Sequence, residues 1–118
     1  MSQTTKELAA TITISGADAP YKVDVPVVRN VRSEPGVPQP ARITYTLASA
    51  SQAAGFRLGS VVPKTASDDI ELVEQSETQY VFADADTQAT EQYFFGFHYL
   101  KNGQSYYFDP EIDNEDPL

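Results

Sequence analysis

Nearly every apolar segment of this chain alternates with a period of two, and this pattern limits the possible folds more than any other feature. Residues two apart point to the same face of a β-strand, so such segments are typical of half-buried strands. In the segment 42–47, for example, Ile43, Tyr45 and Leu47 alternate with polar residues. Helix signals are nearly absent. The sequence therefore predicts an all-β fold.

Seven or eight short strands are predicted, separated by turns rich in glycine, proline and aspartate. They cover residues 8–15, 21–27, 42–47, 56–63, 70–72 and 80–83 and the C-terminal aromatic runs. Pro26 cannot donate to a ladder, so the strand 21–27 is expected at a sheet edge or at a bulge. We predict one domain over residues 1–118, a two-sheet antiparallel β-sandwich of immunoglobulin-like type, with a closed barrel or jelly roll as the alternative.

A hairpin at the C-terminus is the strongest local signal. Asn102-Gly103 lies between two aromatic runs, and this residue pair suits the positive φ angles of a type I′ turn. A two-residue turn would place Tyr99 opposite Tyr106 and His98 opposite Tyr107. One face of the hairpin then collects six aromatic residues, which need a cover: Tyr93, Phe95, Phe97, Tyr99, Tyr106 and Phe108.

The charge balance excludes some partners. The 118 residues contain 17 Asp and Glu against 8 Lys and Arg, a net charge of -9, and no cysteine. Nucleic acid and anionic membranes are therefore not expected partners. No cofactor is expected either. No apolar run approaches the ~20 residues of a membrane helix, and the first residues lack the form of a signal peptide. We expect a cytoplasmic protein.

Residues that could carry catalysis are few. His98 is the one histidine, no cysteine is present, and no Gly-x-Ser-x-Gly elbow occurs. A serine nucleophile would need His98 as its base and a carboxylate to orient it. The acidic residues would permit paired-carboxylate hydrolysis only if the fold set their separation. We predict that the chain is not an enzyme.

Clustered acidic residues suggest a calcium site. Asp84 and Asp86 have the spacing of oxygen ligands in a calcium loop, although the central glycine of an EF-hand is missing. The candidate ligands are Asp84, Asp86, Asp109, Glu111 and Asp113. The alternative is that residues 109–118 form a solvated acidic tail, with Ile112 holding it against the sandwich.

Exposed aromatic residues would provide a binding surface. Tyr80, His98 and Tyr107 are the candidates, and Tyr21 is a further exposed tyrosine in this prediction. Tyrosine rings can stack on sugars, so a carbohydrate-binding module is possible on residue type. The same rings would belong to the core if a second sheet covers them.

The C-terminal third resembles a known family. The segments Tyr93-Phe94-Phe95-Gly96-Phe97-His98-Tyr99, Tyr107-Phe108-Asp109-Pro110-Glu111-Ile112 and Asn114-Glu115-Asp116-Pro117 are similar to the DP-EP family of small bacterial proteins. In the second short motif Asp116 separates Glu115 from Pro117. Ala83-Asp84, the aromatic strand and the Phe-Asp-Pro-Glu-Ile segment are also remotely similar to the AidA/PixA inclusion-body proteins. The resemblance implies a compact bacterial β-sandwich and carries no catalytic residue to this chain.

These observations favour a non-enzymatic function. We predict a protein-interaction or self-assembly module that uses a sheet face or edge, with a homodimer or a complex with another protein as the assembly. A carbohydrate- or Ca²⁺-binding module is the alternative.

Overall fold

The computed structural model describes the backbone of residues 5–65, 67–87, 91–108 and 111–115. These residues form ten strands and one short helix. The strands are β1 (Lys6–Ser15), β2 (Lys22–Asp24), β3 (Val28–Val31), β4 (Ala41–Leu47), β5 (Arg57–Pro63), β6 (Ile70–Gln75), β7 (Gln79–Asp84), β8 (Glu91–Lys101), β9 (Gln104–Phe108) and β10 (Glu111–Glu115), and the helix is α1 (Ser49–Ala53).

The first sheet has the order β2-β1-β4-β7-β6. β1 and β4 run parallel, and the other neighbours are antiparallel. The period of two sets the buried face, because Ile43, Tyr45 and Leu47 of β4 are buried together with Ile12 and Ile14 of β1. The inward face predicted for segment 42–47 is therefore confirmed.

The second sheet has the order β3-β10-β8-β5, and β9 also pairs with β8. The turn between β8 and β9 has positive φ at both central residues, 52° at Asn102 and 77° at Gly103, as a type I′ turn requires. Tyr99 lies opposite Tyr106 and His98 opposite Tyr107. The hairpin and its register were both predicted correctly.

The predicted acidic tail requires correction. Residues 111–115 form β10, which pairs antiparallel with β8 and parallel with β3. β9 and β10 pair with β8 in the same register. Phe97 faces Phe108 and Phe94 faces Glu111, so the residue numbers of each pair add up to 205 in both ladders. Acidic residues alternate with Ile112 and Asn114 in this segment, which is a strand pattern. The acidic segment is therefore part of the second sheet.

The strand order is that of an immunoglobulin-like sandwich. β4-β7-β6 correspond to strands B, E and D, and β10-β8-β5 correspond to G, F and C. The predicted strand 21–27 is divided: β2 lies at the edge of the first sheet, β3 lies at the edge of the second, and Pro26 is in the connection. The all-β sandwich is confirmed, but the parallel pairs β1–β4 and β3–β10 make both sheets mixed rather than purely antiparallel. The single strand predicted over 21–27 is wrong, because the chain leaves the first sheet before Pro26, which has no N–H to donate to a ladder.

Aromatic side chains fill the space between the sheets. Phe95 of β8 contacts Phe82 of β7 and Tyr45 of β4, with ring centroids 4.8 and 5.7 Å apart. Phe97 contacts Tyr80 at 5.7 Å. These rings join the two sheets, so the inward face predicted for β8 is buried by the first sheet, whereas Tyr106 and Phe108 of β9 remain half-buried.

Helix α1 lies in the segment predicted as a loop, and one of its side chains completes β1. The buried Ser51 Oγ accepts a hydrogen bond from the Ile14 amide and donates one to the Ile14 carbonyl, both at 2.9 Å. The side chain thus replaces a neighbouring strand at the end of β1. Among the described residues, no helix is long and apolar enough to span a membrane.

We expect Ser51→Ala to lower the free energy of unfolding by about 2 kcal/mol, because it leaves a buried amide and a buried carbonyl without partners. Urea unfolding measures this loss. Ser49→Ala in the same helix is the matched control, since Ser49 is exposed and should change stability by less than about 0.5 kcal/mol. Equal effects of the two substitutions would contradict the assigned role of Ser51.

Candidate functional site

The predicted calcium ligand Asp86 belongs to a buried ion pair. Arg32, directly after β3, donates from Nε to Asp86 Oδ2 at 2.9 Å and from Nη2 to the Asp86 carbonyl at 2.6 Å. The two side chains are 2% and 0% exposed. The Gln39 amide also donates to Asp86 Oδ2, at 3.0 Å. The Asp86 carboxylate therefore neutralises a buried guanidinium and fixes the loop that precedes β4.

The other acidic residues of this region are bound within the same network. Asp84 Oδ1 accepts the Asp86 amide at 2.9 Å, which supports the left-handed backbone of Asp86 at φ 52°. Asp84 Oδ2 lies 3.4 Å from Nδ2 of the buried Asn30. Asp69 accepts both the amide and the hydroxyl of Thr87. The network ties the end of β7 to β3 and to the segment before β6.

Of the five proposed calcium ligands, the structure describes the side chains of two, Asp84 and Asp86, and both are bound in the polar cluster around Arg32. Asp84 and Asp86 have the contacts given above, Asp109 lies outside the described residues, and Glu111 and Asp113 are described only as members of β10. In the described ranges no group of three or more histidine or acidic residues is placed to hold a metal ion. The Asp-x-Asp spacing here corresponds to a polar cluster with Arg32.

The predicted exposure of Tyr80 is wrong. Its side chain is 0% exposed, and its hydroxyl donates to the Gly59 carbonyl at 2.5 Å. Gly59 lies where the β5–β8 register shifts between Leu58 and Val61, and this irregularity provides the carbonyl. Burial raises the pKa of Tyr80 well above its ordinary value of 10.0. Tyr80 is a core residue that joins the two sheets.

His98 and Tyr107 lie side by side on the outer face of the second sheet, as predicted. Their ring centroids are 5.2 Å apart, and Tyr107 is 44% exposed. Tyr107 lies over Gly96, where an added Cβ would come within 1.8 Å of the Tyr107 hydroxyl. Lys64 Nζ lies 5.5 Å from the centre of the Tyr107 ring. The described part of this face therefore presents the exposed Tyr107 ring, packed beside His98 and over Gly96.

The described contacts of His98 include no short pair of nucleophile and base. Its one described hydrogen-bond contact joins Nδ1 to Ser105 Oγ at 3.5 Å, longer than the 2.6–3.2 Å of a nucleophile and its base. Both residues lie on the open outer face of the β8–β9 hairpin. The Ser105–His98 contact is a cross-strand neighbour pair.

A groove lined by aromatic residues lies between β9 and the segment that leads into β2. Its volume is about 380 Å³. The lining residues are Pro20, Tyr21, Val23, Tyr99, Tyr106, Tyr107 and Phe108. Tyr21 meets Tyr106 edge-on with ring centroids 5.2 Å apart, and Tyr106 stacks on Tyr99 at 5.4 Å. At this groove the aromatic layer of the core reaches the surface.

Tyrosine hydroxyls add polar groups to the lining of this groove. The Tyr106 hydroxyl donates to Gln104 Oε1 at 2.8 Å. Burial raises the pKa of Tyr21, and so does the neighbouring Tyr106. The pKa of Tyr99 is raised by burial as well. A tyrosine hydroxyl can both donate and accept a hydrogen bond.

Strand β9 forms one side of the groove and has an open edge. Within the described chain it pairs with β8 alone. In a two-residue hairpin Lys101 and Gln104 form the hydrogen-bonded closing pair, so the N–H and C=O of Ser105 point away from β8. Residues 104–108 contain no charged residue and no proline.

The other edge strands that the structure describes are protected. Each carries at least one charged residue: Lys22 and Asp24 in β2, Arg29 in β3, Arg57 in β5, and Glu71 and Glu74 in β6. β5 and β6 also have register irregularities, and β5 ends at Pro63. Charges, prolines and bulges are the features that keep sheet edges from pairing with other chains. Edge β9 lacks all three over its length.

Sequence reasoning found the hairpin but not the groove. The alternation predicted that Tyr106 and Phe108 face inward, and both do. The second sheet leaves them half-buried beside Tyr21, and this depends on where β2 lies, which the local sequence does not determine.

No family model matches the chain, and no curated protein matches it.

We expect Asp86→Asn to lower the free energy of unfolding by about 3 kcal/mol, because it leaves the buried Arg32 without a counter-charge. Asparagine tolerates the left-handed backbone, so the substitution tests charge rather than conformation. Chemical unfolding measures the loss, and the exposed Asp68→Asn is the control. An Asp86→Asn protein as stable as the control would show that the ion pair is not a structural lock.

Proposed function

We propose that this chain is a non-enzymatic protein-interaction module whose docking site is the open edge of β9 together with the aromatic groove. The observation that carries the proposal is the contrast between edges. β9 has neither charge nor proline nor bulge, whereas the other described edge strands are protected. An edge without such protection accepts a further strand.

Strand addition would use both parts of the site. The backbone of an incoming extended segment would bond to the outward N–H and C=O of Ser105, which gives affinity without sequence preference. Its alternate side chains would lie beside Tyr106 and Phe108 and enter the groove, which selects apolar or aromatic residues. Tyrosine hydroxyls of the groove lining would bond to the peptide groups of the same segment.

A carbohydrate-binding module is the second candidate, and one observation favours it. Three tyrosine rings, Tyr21, Tyr99 and Tyr106, line one groove, and such rings can combine stacking with hydrogen bonds to a sugar. The protein-interaction function is preferred because it also accounts for the open edge of β9. Membership of the DP-EP family and a cytoplasmic location remain proposals that agree with either function.

A blocked synthetic peptide with the sequence of residues 104–108 is the probe for strand addition. We expect it to bind the full chain and to bind Ser105→Pro on the order of tenfold more weakly, because proline removes the outward N–H. That N–H takes no part in the β8–β9 ladder, so the hairpin should persist. Titration calorimetry measures both affinities.

Ser105→Ala is the matched control, since it keeps the backbone donor and should bind the peptide like the unchanged chain. Circular dichroism checks that both variants keep the fold. Equal affinity of all three proteins, or no heat at millimolar peptide, would contradict the proposal.

A further inference from the structure

We infer that the strand received by β9 is β9 of a second copy of this chain, paired antiparallel in a two-fold symmetric dimer. This inference rests on the proposed function, because it names the partner for the same edge and groove. The dimer would join the second sheets of the two copies into one continuous sheet through their β9 strands.

Charge is the first argument for a second copy. The chain carries a net charge of -9, so most surfaces of two copies repel each other. The segment Gln104–Phe108 is neutral. Among the edge strands that the structure describes, it is the one that would place no like charges side by side if it paired with itself. A basic partner would find acidic residues on β6 but no counter-charge on β9. The chemistry of the edge therefore favours an uncharged strand, and β9 is itself such a strand.

The length and pattern of β9 give the register. Two five-residue strands overlap completely in antiparallel pairing when Tyr106 lies opposite Tyr106 of the partner subunit. This arrangement has the two-fold symmetry of most homodimers. The outward peptide groups of Ser105 in each copy then fall inside the paired region, where they can bond across the interface.

The same register accounts for the half-buried aromatic residues. Tyr106 is on the inward face of β9 and forms part of the groove with Tyr21 and Tyr99. Side chains directly opposite in neighbouring antiparallel strands lie about 4.5–5.5 Å apart at Cβ. Tyr106 of the partner subunit would therefore extend the aromatic layer from one copy into the other and cover the open end of the groove.

Sedimentation equilibrium of the full chain at low and high NaCl tests the inference. We expect the mass to rise from 13.0 kDa to twice that value with concentration. The association constant should increase on the order of tenfold between about 0.05 and 0.5 M NaCl, because salt screens the repulsion between the acidic copies. Ser105→Pro should stay at 13.0 kDa, and Ser105→Ala should dimerise like the unchanged chain.

The outcomes separate the inference from the proposed function. A constant 13.0 kDa for the unchanged chain, while the 104–108 peptide binds, overturns the dimer and leaves strand addition in place. A dimer that Ser105→Pro does not weaken, or that salt dissociates, also overturns the inference. The salt series uses the unchanged chain alone, so the test does not depend on the folding of any variant.

Discussion

The positive φ angles at Asn102 and Gly103 are the constraint on which the rest of the structure depends. They close a two-residue turn, and the register set there holds in both the β8–β9 and the β8–β10 ladders. A shift by one residue would exchange the two faces of the hairpin. Phe95 and Phe97 would then leave the core, and the second sheet would lose the aromatic layer that joins it to β4 and β7. The same register leaves β9 beside the groove with its Ser105 peptide groups pointing outward.

Sequence patterns predicted the features that short segments of the chain determine by themselves. Alternation gave the buried faces of β4 and β8, and the Asn-Gly pair gave the hairpin with its register. The parallel pairing of β1 with β4 depends on how distant segments meet, and alternation carries no information about it. β10 was missed because its acidic residues suggested a solvated tail, although Ile112 and Asn114 alternate with them as in a strand. The local sequence does not determine whether a tyrosine is buried or exposed either. Tyr80 is buried between the sheets, and its hydroxyl bonds to the Gly59 carbonyl of β5.

Two groups of charged residues have different roles in this chain. Asp84 and Asp86 are buried and hold the loops around β3 and β7 through Arg32 and Gln39. The charged residues on the edge strands are exposed, or partly exposed in the case of Arg57, and they oppose pairing with other chains. The candidate site differs from both groups, because it is the uncharged edge of β9 next to the aromatic core. Stability and the proposed recognition thus depend on the same aromatic layer, which ends at Tyr106 and Tyr21.

Hydrogen exchange at the Ser105 amide, followed by NMR at two protein concentrations, tests the central claim most directly. This amide points away from β8, whereas the Tyr106 amide lies in the β8–β9 ladder. The account predicts fast exchange at Ser105 in dilute protein, marked slowing at high concentration, and a Tyr106 amide that is protected throughout. A Ser105 amide that exchanges equally fast at every concentration, while the mass of the protein doubles, would contradict the claim that β9 is the docking edge.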